Sequence, residues 1–213
     1  DPRSGLDVDI SLDNRLAIHN SMMLKSYAQE ERLQRLIQMV KYWASRRGIN
    51  NAFDGTLSSY AWTLLSIQHA QLVQPPLAPN RQQGAEANPI TFKGTTYDVG
   101  YNDEHYATEN NQSLASLLIS FFERFATRWD WENMVVSVRS GEALLTKAKK
   151  WKHTGPLPLE VVTGADDGWM EHVMPIEDPF NHEHDLSRVV RAEGAMTIQN
   201  EFCLLYTSPS PRD

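Results

Sequence analysis

Hydrophobic side chains recur at helical spacing in the first third of the chain. One stripe follows Asn14 and ends at Tyr27, and a second runs from Leu33 to Ala44. Residues three and four apart share one face of a helix, so each stripe predicts a helix packed on a core. The first stripe consists of Leu16, Met23, Leu24 and Tyr27, and the second of Leu33, Leu36, Ile37, Val40, Trp43 and Ala44.

Turn-forming residues set the limits of these helices and of the next one. Gly48 ends the second helix, and GTLSSY (55–60) begins a third, with Thr56 or Ser58 as its N-cap. The Pro75–Pro76 pair ends that third helix, because proline cannot donate to the helical hydrogen-bond ladder.

Strand-like patterns are short. Residues 5–11 alternate apolar and acidic or hydroxyl side chains, as in a half-buried strand. The polar stretch 78–112 predicts a long loop with one short strand at TYDVGY (96–101), and MVVSVR (134–139) predicts another strand.

The second half begins with the strongest amphipathic pattern, which predicts a helix from Leu114 to Phe125. Residues 140–170 show no regular period and contain lysines at 147, 149, 150 and 152. A last helix is predicted to begin near Asp185, to be interrupted by Gly194 and to stop at Phe202. The predicted fold class is therefore α+β: a mainly helical domain with a small sheet, preceded by the last strand of another domain.

Composition narrows the possible partners. A net charge of −7 gives no broad basic surface for duplex nucleic acid. Limited contact with the end of a single strand remains compatible with this charge. No apolar run approaches a membrane span, so we expect no membrane partner. Cys203 is the only cysteine, which excludes a disulfide framework.

Both ends of the sequence are unusual. The chain starts at Asp1 without an initiator Met, so we expect a fragment of a longer protein. CLLYTSPSPRD (203–213) resembles a translated sequencing adapter, and we predict that it is a non-native tail; a genuine Ser/Pro tail is the alternative.

The segment EDPFNHEH (177–184) concentrates three carboxylates and two imidazoles. It fits a metal site, a solvated acidic loop or a small-molecule reader. Residues outside this segment are less specific. Asp9 on the predicted strand is compatible with an exposed surface carboxylate, and Lys41 near a helix end is compatible with a charge that stabilises the helix dipole. The hydroxyls of GTLSSY are compatible with an N-cap or with an anion-binding site.

The order of these motifs is more specific than any one of them. NRLAIHN (14–20), GTLSSY (55–60) and IEDPF (176–180), with further segments across residues 5–202, resemble the Cid-type terminal uridylyltransferases or poly(U) polymerases, polymerase-beta-like RNA nucleotidyltransferases. The resemblance implies a palm remnant at 1–13, a central and PAP-associated nucleotide-recognition domain at 14–202, and the tail at 203–213.

This family adds uridine nucleotides from UTP to single-stranded RNA 3′ ends without a template. It uses Mg²⁺ or Mn²⁺ held by three carboxylates. The resemblance implies that Asp9 is the catalytic and metal-binding third carboxylate. The other two lie upstream in the family, so we expect the fragment alone to be inactive.

The resemblance also implies a nucleotide site. Asn14 and Asn20 are predicted to bind nucleotide, Asn20 through the ribose 2′-hydroxyl with Ser21 beside it. Lys41 is predicted to bind the triphosphate, although Ser45 replaces a second family lysine one turn later. The remaining predicted roles are phosphate contact by Ser59 and base stacking by Tyr60.

Base selection is predicted to come from the loop. Asp178 matches an acidic residue near the Watson–Crick edge, and His184 matches the histidine of uridine-preferring members. Asn181 stands where the family usually has Glu or Asp. Its side-chain amide can both donate and accept hydrogen bonds, so this residue affects which base is preferred. Arg188 is predicted to brace the loop through a carboxylate or to form a surface pair.

Three alternatives stay open at this point. Two of them are functions: a poly(A)-adding relative that uses ATP and a catalytically inactive RNA-binding paralogue. The third is metal binding by His182 and His184, which their location in a turn disfavours. We expect His182 to be exposed, the protein to be a monomer, and its location to be cytoplasmic, with the nucleus as the alternative.

Overall fold

The computed structural model describes residues 14–142, 144–145, 151 and 172–207. The predicted strand at 5–11 with Asp9, and the lysines at 147, 149, 150 and 152, lie outside the described residues. The five α-helices of the described part are α1 (Arg15–Tyr27), α2 (Glu31–Arg46), α3 (Ser59–Leu72), α4 (Leu114–Glu123) and α5 (Ala192–Thr207). Two antiparallel pairs join β1 (Pro89–Phe92) to β2 (Thr95–Asp98) and β3 (Met134–Val135) to β4 (Leu144–Leu145). The predicted α+β class, mainly helical with a small sheet, is confirmed.

Helix α3 is the central element of the fold. Every residue from Ala61 to Gln71 is buried, so this helix is covered on all sides rather than on one stripe. The Ser58 hydroxyl accepts from the Ala61 amide at 3.2 Å, which confirms Ser58 as the N-cap and fixes where α3 begins.

Aromatic side chains connect α3 to the helices around it. The Trp43 ring from α2 meets Trp62 of α3 edge-on at 5.5 Å and Phe122 of α4 at 4.8 Å. Phe202 of α5 lies 5.5 Å from the Trp43 ring and is fully buried. Large rings packed this way give most of their stabilisation by removing apolar area from water.

The polar stretch between α3 and α4 contains more regular structure than its sequence predicts. The strand predicted at 96–101 is observed at Thr95–Asp98, and its partner β1 was missed. Gly94, at φ 81°, forms the tight turn between them. Arg81 fixes the rest of this stretch by donating to the carbonyls of Ser26, Asn102 and Glu104.

The predicted limits of the last helix are wrong at both ends. Residues 186–189 form a turn, and α5 begins at Ala192 and continues past Phe202 to Thr207. At the first end, the Asp185 carboxylate accepts from the Ser187 amide at 2.8 Å and from the Ile176 amide at 2.9 Å. An Asp side chain that captures nearby amides competes with helix formation. No helix of the described residues has the length and hydropathy to span a bilayer.

Gly194 does not interrupt the helix but lies in its first turn, against Gly55. A Cβ built on Gly194 would collide with the Gly55 carbonyl oxygen. Gly55 itself has φ 78° and accepts from the Arg191 amide at 3.0 Å. The missing side chain therefore lets the start of α5 lie against the loop that leads into α3.

Gly194→Ala should destabilise the protein. A backbone carbonyl cannot move away as a flexible side chain can, so the added methyl should cost about 1–3 kcal/mol in the free energy of unfolding, despite alanine's better helix propensity. Urea titration measures the change. The matched control is Gln199→Ala at an exposed position of the same helix, which should stay within about 0.5 kcal/mol. Equal stability of the two variants would contradict the close approach.

Candidate functional site

One cavity brings together most of the residues predicted to form a site. Its volume is about 390 Å³, and its walls come from α1, the start of α3 and the loop 178–184. Of the predicted site residues, the cavity is lined by Asn14, Asn20, Ser21, Tyr60, Asp178, Asn181 and His184. These residues are far apart in sequence and contribute amide, hydroxyl, phenol, carboxylate and imidazole groups to one space.

Helix α1 presents one face to this cavity. Asn14 is its N-cap and accepts from the Ala17 amide at 3.2 Å. Helical spacing then places Asn20 and Ser21 one turn beyond Leu16 and Ala17, with Leu24 one turn further on. Leu16 and Leu24 were predicted only as core positions, yet they also line the cavity, so helical spacing from Asn20 was the signal that marks them as site residues.

The Asp178 carboxylate holds the cavity together. Its Oδ1 accepts from the amides of Phe180 at 3.0 Å and Asn181 at 2.9 Å. Its Oδ2 accepts from the Asn20 side-chain amide at 3.2 Å, across 158 residues of sequence. The Tyr60 hydroxyl lies 3.5 Å from the same oxygen. Asp178 therefore shapes its own turn and links that turn to α1 and α3.

The side chains of Tyr60 and Asn20 can both form hydrogen bonds with a ligand. Burial, and then the neighbouring Asp178 charge, raise the pKa of Tyr60 well above its usual value, so its phenol stays protonated at neutral pH. The Asn20 side-chain oxygen is buried and has no hydrogen-bond partner among the described residues. Buried acceptors are costly to leave unpaired, so this atom is a natural contact point for a donor on a ligand.

His184 is half-buried at the edge of the cavity. Burial lowers its pKa, and the charge of Arg188 lowers it further, while Asp178 and Asp185 act in the opposite direction. The imidazole is therefore neutral near pH 7, with one nitrogen that donates and one that accepts. The His184 amide donates to the Asn181 carbonyl at 2.8 Å, which ties both residues into one turn.

Two predicted site residues lie outside this cavity. Lys41 is half-buried on α2, and Ser59 is exposed at the first position of α3, where its hydroxyl and the Asn50 side chain exchange hydrogen bonds of 2.9 and 3.1 Å. Neither is among the residues that line it. Asn50 was not predicted, and nothing in the sequence pattern separates it from an ordinary loop asparagine.

The loop is braced by residues that sequence reasoning missed. Glu177 is fully buried, accepts from Arg139 at 2.9 Å and is hydrogen-bonded to the Ser137 hydroxyl. Gln82 donates to the Pro179 carbonyl at 2.8 Å. Arg188, predicted to brace the loop or form a surface pair, is exposed and forms no ion pair with a described carboxylate.

The two histidines of the loop face different surroundings. His184 lines the cavity described above, whereas His182 lines a second, polar cavity of about 340 Å³ together with Gln82 and Asp98. His182 was expected to be exposed but is half-buried, with Nε2 3.2 Å from the Pro179 carbonyl. Within the described ranges, no three His, Cys, Asp or Glu side chains are grouped as a metal site.

Comparison with known proteins gives a consistent result. The sequence model for the Cid1 family poly A polymerase matches residues 113–184. The terminal uridylyltransferase cid1 of Schizosaccharomyces pombe is 34% identical over 201 residues, which cover 91% of this chain and 48% of that protein. The poly(A) RNA polymerase GLD2-A of Xenopus laevis is 33% identical over 95% of this chain and 37% of its own length.

Solved structures agree. A cytoplasmic RNA terminal U-transferase superimposes with a TM-score of 0.78 at 31% identity, over 93% of this chain and 61% of the other. Cid1 in complex with the UTP analogue UMPNPP gives a TM-score of 0.77 at 31% identity, over 93% and 60% of the two chains. The chain spans about half the length of the cid1 protein. By sequence and by fold, it belongs to the nucleotidyltransferase family that contains the Cid1 uridylyltransferase and the GLD2 poly(A) RNA polymerases.

Proposed function

We propose that this part of the chain holds the ribose and base of UTP in an enzyme that adds uridine nucleotides to RNA 3′ ends without a template. The observation that carries the proposal is the cavity in which Asn20, Tyr60, Asp178 and His184 meet. The similarity to a uridylyltransferase, and to Cid1 bound to a UTP analogue and to the short product ApU, supports the same choice.

The ribose would be recognised by Asn20. Its amide nitrogen is already committed to Asp178 at 3.2 Å, which orients the side chain and leaves the oxygen as a buried acceptor. A ribose 2′-hydroxyl can donate to that oxygen, and a deoxyribose cannot. The resulting preference for ribonucleotides rests on leaving a buried acceptor unpaired when the hydroxyl is missing.

The base would lie against Tyr60 with its edge towards the loop. Stacking on an aromatic ring contributes about 1–3 kcal/mol per base and hardly distinguishes one base from another. A neutral imidazole at position 184 can donate to a uracil carbonyl. Adenine presents an amino donor at the corresponding edge, so its donor would meet the donor of His184 and leave both unpaired.

A poly(A)-adding enzyme is the second candidate. The Asn181 side chain lines the cavity and can both donate and accept, so it could pair with either base edge. The identity of 33% with a GLD2 poly(A) RNA polymerase supports this candidate as well. An inactive RNA-binding paralogue is distinguished from both by a lack of turnover with either nucleotide.

The chemical step needs metal-holding groups beyond those that the structure describes. Mg²⁺ or Mn²⁺ would be held by Asp9, which precedes the described residues, together with further carboxylates, and would supply charge stabilisation at the transferred phosphate. The described residues contribute something else: they bind and orient the nucleotide. Lys41 and Ser59 would contact the triphosphate only if it extends out of the cavity towards α2 and the start of α3.

His184→Ala should lower the preference for UTP over ATP in the intact enzyme. Loss of one buried hydrogen bond is worth about 1–3 kcal/mol, or roughly 5- to 150-fold in the ratio of kcat/KM values. Parallel extension assays on one RNA primer with each nucleotide measure it. A wild type that prefers ATP, or a ratio unchanged by the substitution, would contradict the proposed reading of the base.

Asn20→Ala should reduce discrimination between UTP and dUTP. The 2′-hydroxyl would then have no acceptor, so the kcat/KM ratio of UTP to dUTP should fall about 10-fold, as for one hydrogen bond of about 1.4 kcal/mol. Asn200→Ala, at an exposed position of α5, is the matched control and should keep the wild-type ratio. An unaltered ratio in Asn20→Ala would remove Asn20 from the ribose site.

The pKa of the His184 imidazole should lie below its usual value, and its charged neighbours should shift this pKa in opposite directions. Removing the Arg188 charge with Arg188→Gln should raise the pKa of His184, because that charge lowers it; Asp178→Asn should lower the pKa further, because the Asp178 charge raises it. NMR titration of the imidazole protons measures both shifts.

The lowered His184 pKa also makes stability depend on pH. As pH falls from the unfolded value towards the lower folded value, the unfolded chain binds the proton first, so stability should decline across that window. A pKa at or above about 6.5 in the wild type would contradict a neutral His184.

A further inference from the structure

Asp185 is a buried carboxylate that lies directly after the base-reading His184 but does not line the cavity. Its Oδ1 accepts from the Ile176 amide at 2.9 Å and from the Ser187 amide at 2.8 Å. The Ser187 hydroxyl approaches both carboxylate oxygens, at 2.8 and 2.9 Å. A buried carboxylate costs several kcal/mol unless donors surround it, so these bonds explain how it is tolerated but not what it does.

The Asp185 bonds join the two ends of the loop on either side of His184. Glu177 and Asp185 form an antiparallel bridge, the Leu186 amide donates to the Ile176 carbonyl at 2.9 Å, and the Asp178 amide donates to the His184 carbonyl at 3.1 Å. The position of His184 is thus fixed by the hydrogen bond to its carbonyl and by the hydrogen bonds of the neighbouring Asp185 side chain. An apolar residue at position 185 would avoid the desolvation cost but would leave the Ile176 and Ser187 amides without this acceptor.

His172 completes the arrangement from outside the loop. Its Nδ1 lies 2.6 Å from Asp185 Oδ2, and the two side chains are 4% and 0% exposed. Since a carboxylate only accepts, the ring donates from Nδ1. The Trp151 ring stacks on the imidazole at 4.6 Å with an interplanar angle of 10°, so both the position and the tilt of the donor are fixed.

We propose that His172 and Asp185 are positioning residues that set the place of His184 and thereby the choice between nucleotide bases. The inference rests on the proposed base-reading role of His184. Neither residue lines the cavity. Their effect on selectivity therefore passes through the loop.

Two substitutions of His172 separate the contribution of its hydrogen bond to Asp185 from that of its aromatic ring. His172→Phe keeps an aromatic ring against Trp151 but removes the donor to Asp185, whereas His172→Asn loses the ring but can donate from its amide near the place of Nδ1. The matched control is His69→Phe, because His69 is also a fully buried histidine, bonded to Ser120 and Arg124 away from the loop.

The intact enzyme that contains this chain is assayed for kcat and KM with UTP and with ATP, and for its melting temperature. His172→Phe should lower the UTP-to-ATP ratio of kcat/KM about 10-fold, mainly through a higher KM for UTP, as for one lost bond to a charged group. His172→Asn should stay within about twofold of wild type, and His69→Phe should lower the melting temperature and keep the ratio. If His172→Phe does not fold, Ser187→Ala takes its place, with an expected change of about twofold to threefold.

The same substitution in a His184→Ala background shows whether the effect passes through His184. There His172→Phe should change the ratio no further. An unchanged ratio in His172→Phe despite a lower melting temperature would overturn the inference, as would an equal change with and without His184. If the wild type prefers ATP, the proposed uridylyl transfer fails, and positioning is still supported by a ratio that His172→Phe shifts only when His184 is present.

Discussion

The candidate site depends on one carboxylate. Asp178 accepts from two amides of its own turn and from Asn20 on α1, and lies near the Tyr60 hydroxyl at the start of α3. Three distant segments are thereby joined at one nearly buried group. Because each of its oxygens is already occupied by protein donors, Asp178 acts mainly by fixing the groups around it, and the atoms left to meet a ligand are the Asn20 oxygen and the groups of Asn181 and His184.

The core makes that junction possible. Helix α3 is buried along most of its length, so Tyr60 at its first turn is held by the packing of Trp62 against Trp43 and Phe202. The glycine contact between α5 and the loop before α3 fixes the same region from outside. A stable core of this kind allows a small polar site to keep its geometry without a ligand.

Periodicity predicted the parts of the fold that local sequence controls. The helices α1 to α4 and the Ser58 cap follow from apolar spacing and from hydroxyl chemistry at a helix start. The strand β1 was missed because its sequence, PITF, is only four residues long and begins with a proline, which argues against a strand. The start of α5 was wrong because Asp185 captures amides that a helix would otherwise use. The bond between Asn20 and Asp178 spans 158 residues and has no local signal. Resemblance to a family placed both residues in one site, but the partners of Asp185 and Glu177 could be found only in the structure.

The cavity between α1, α3 and the loop is the proposed site for the uracil and ribose of UTP. A crystal structure of the intact enzyme with a non-hydrolysable UTP analogue tests it most directly. We expect the uracil ring on Tyr60, a ring nitrogen of His184 within hydrogen-bond distance of a uracil carbonyl, and the Asn20 oxygen within the same distance of the 2′-hydroxyl. A base bound elsewhere, for instance in the polar cavity beside His182, or a ribose away from Asn20, would contradict it.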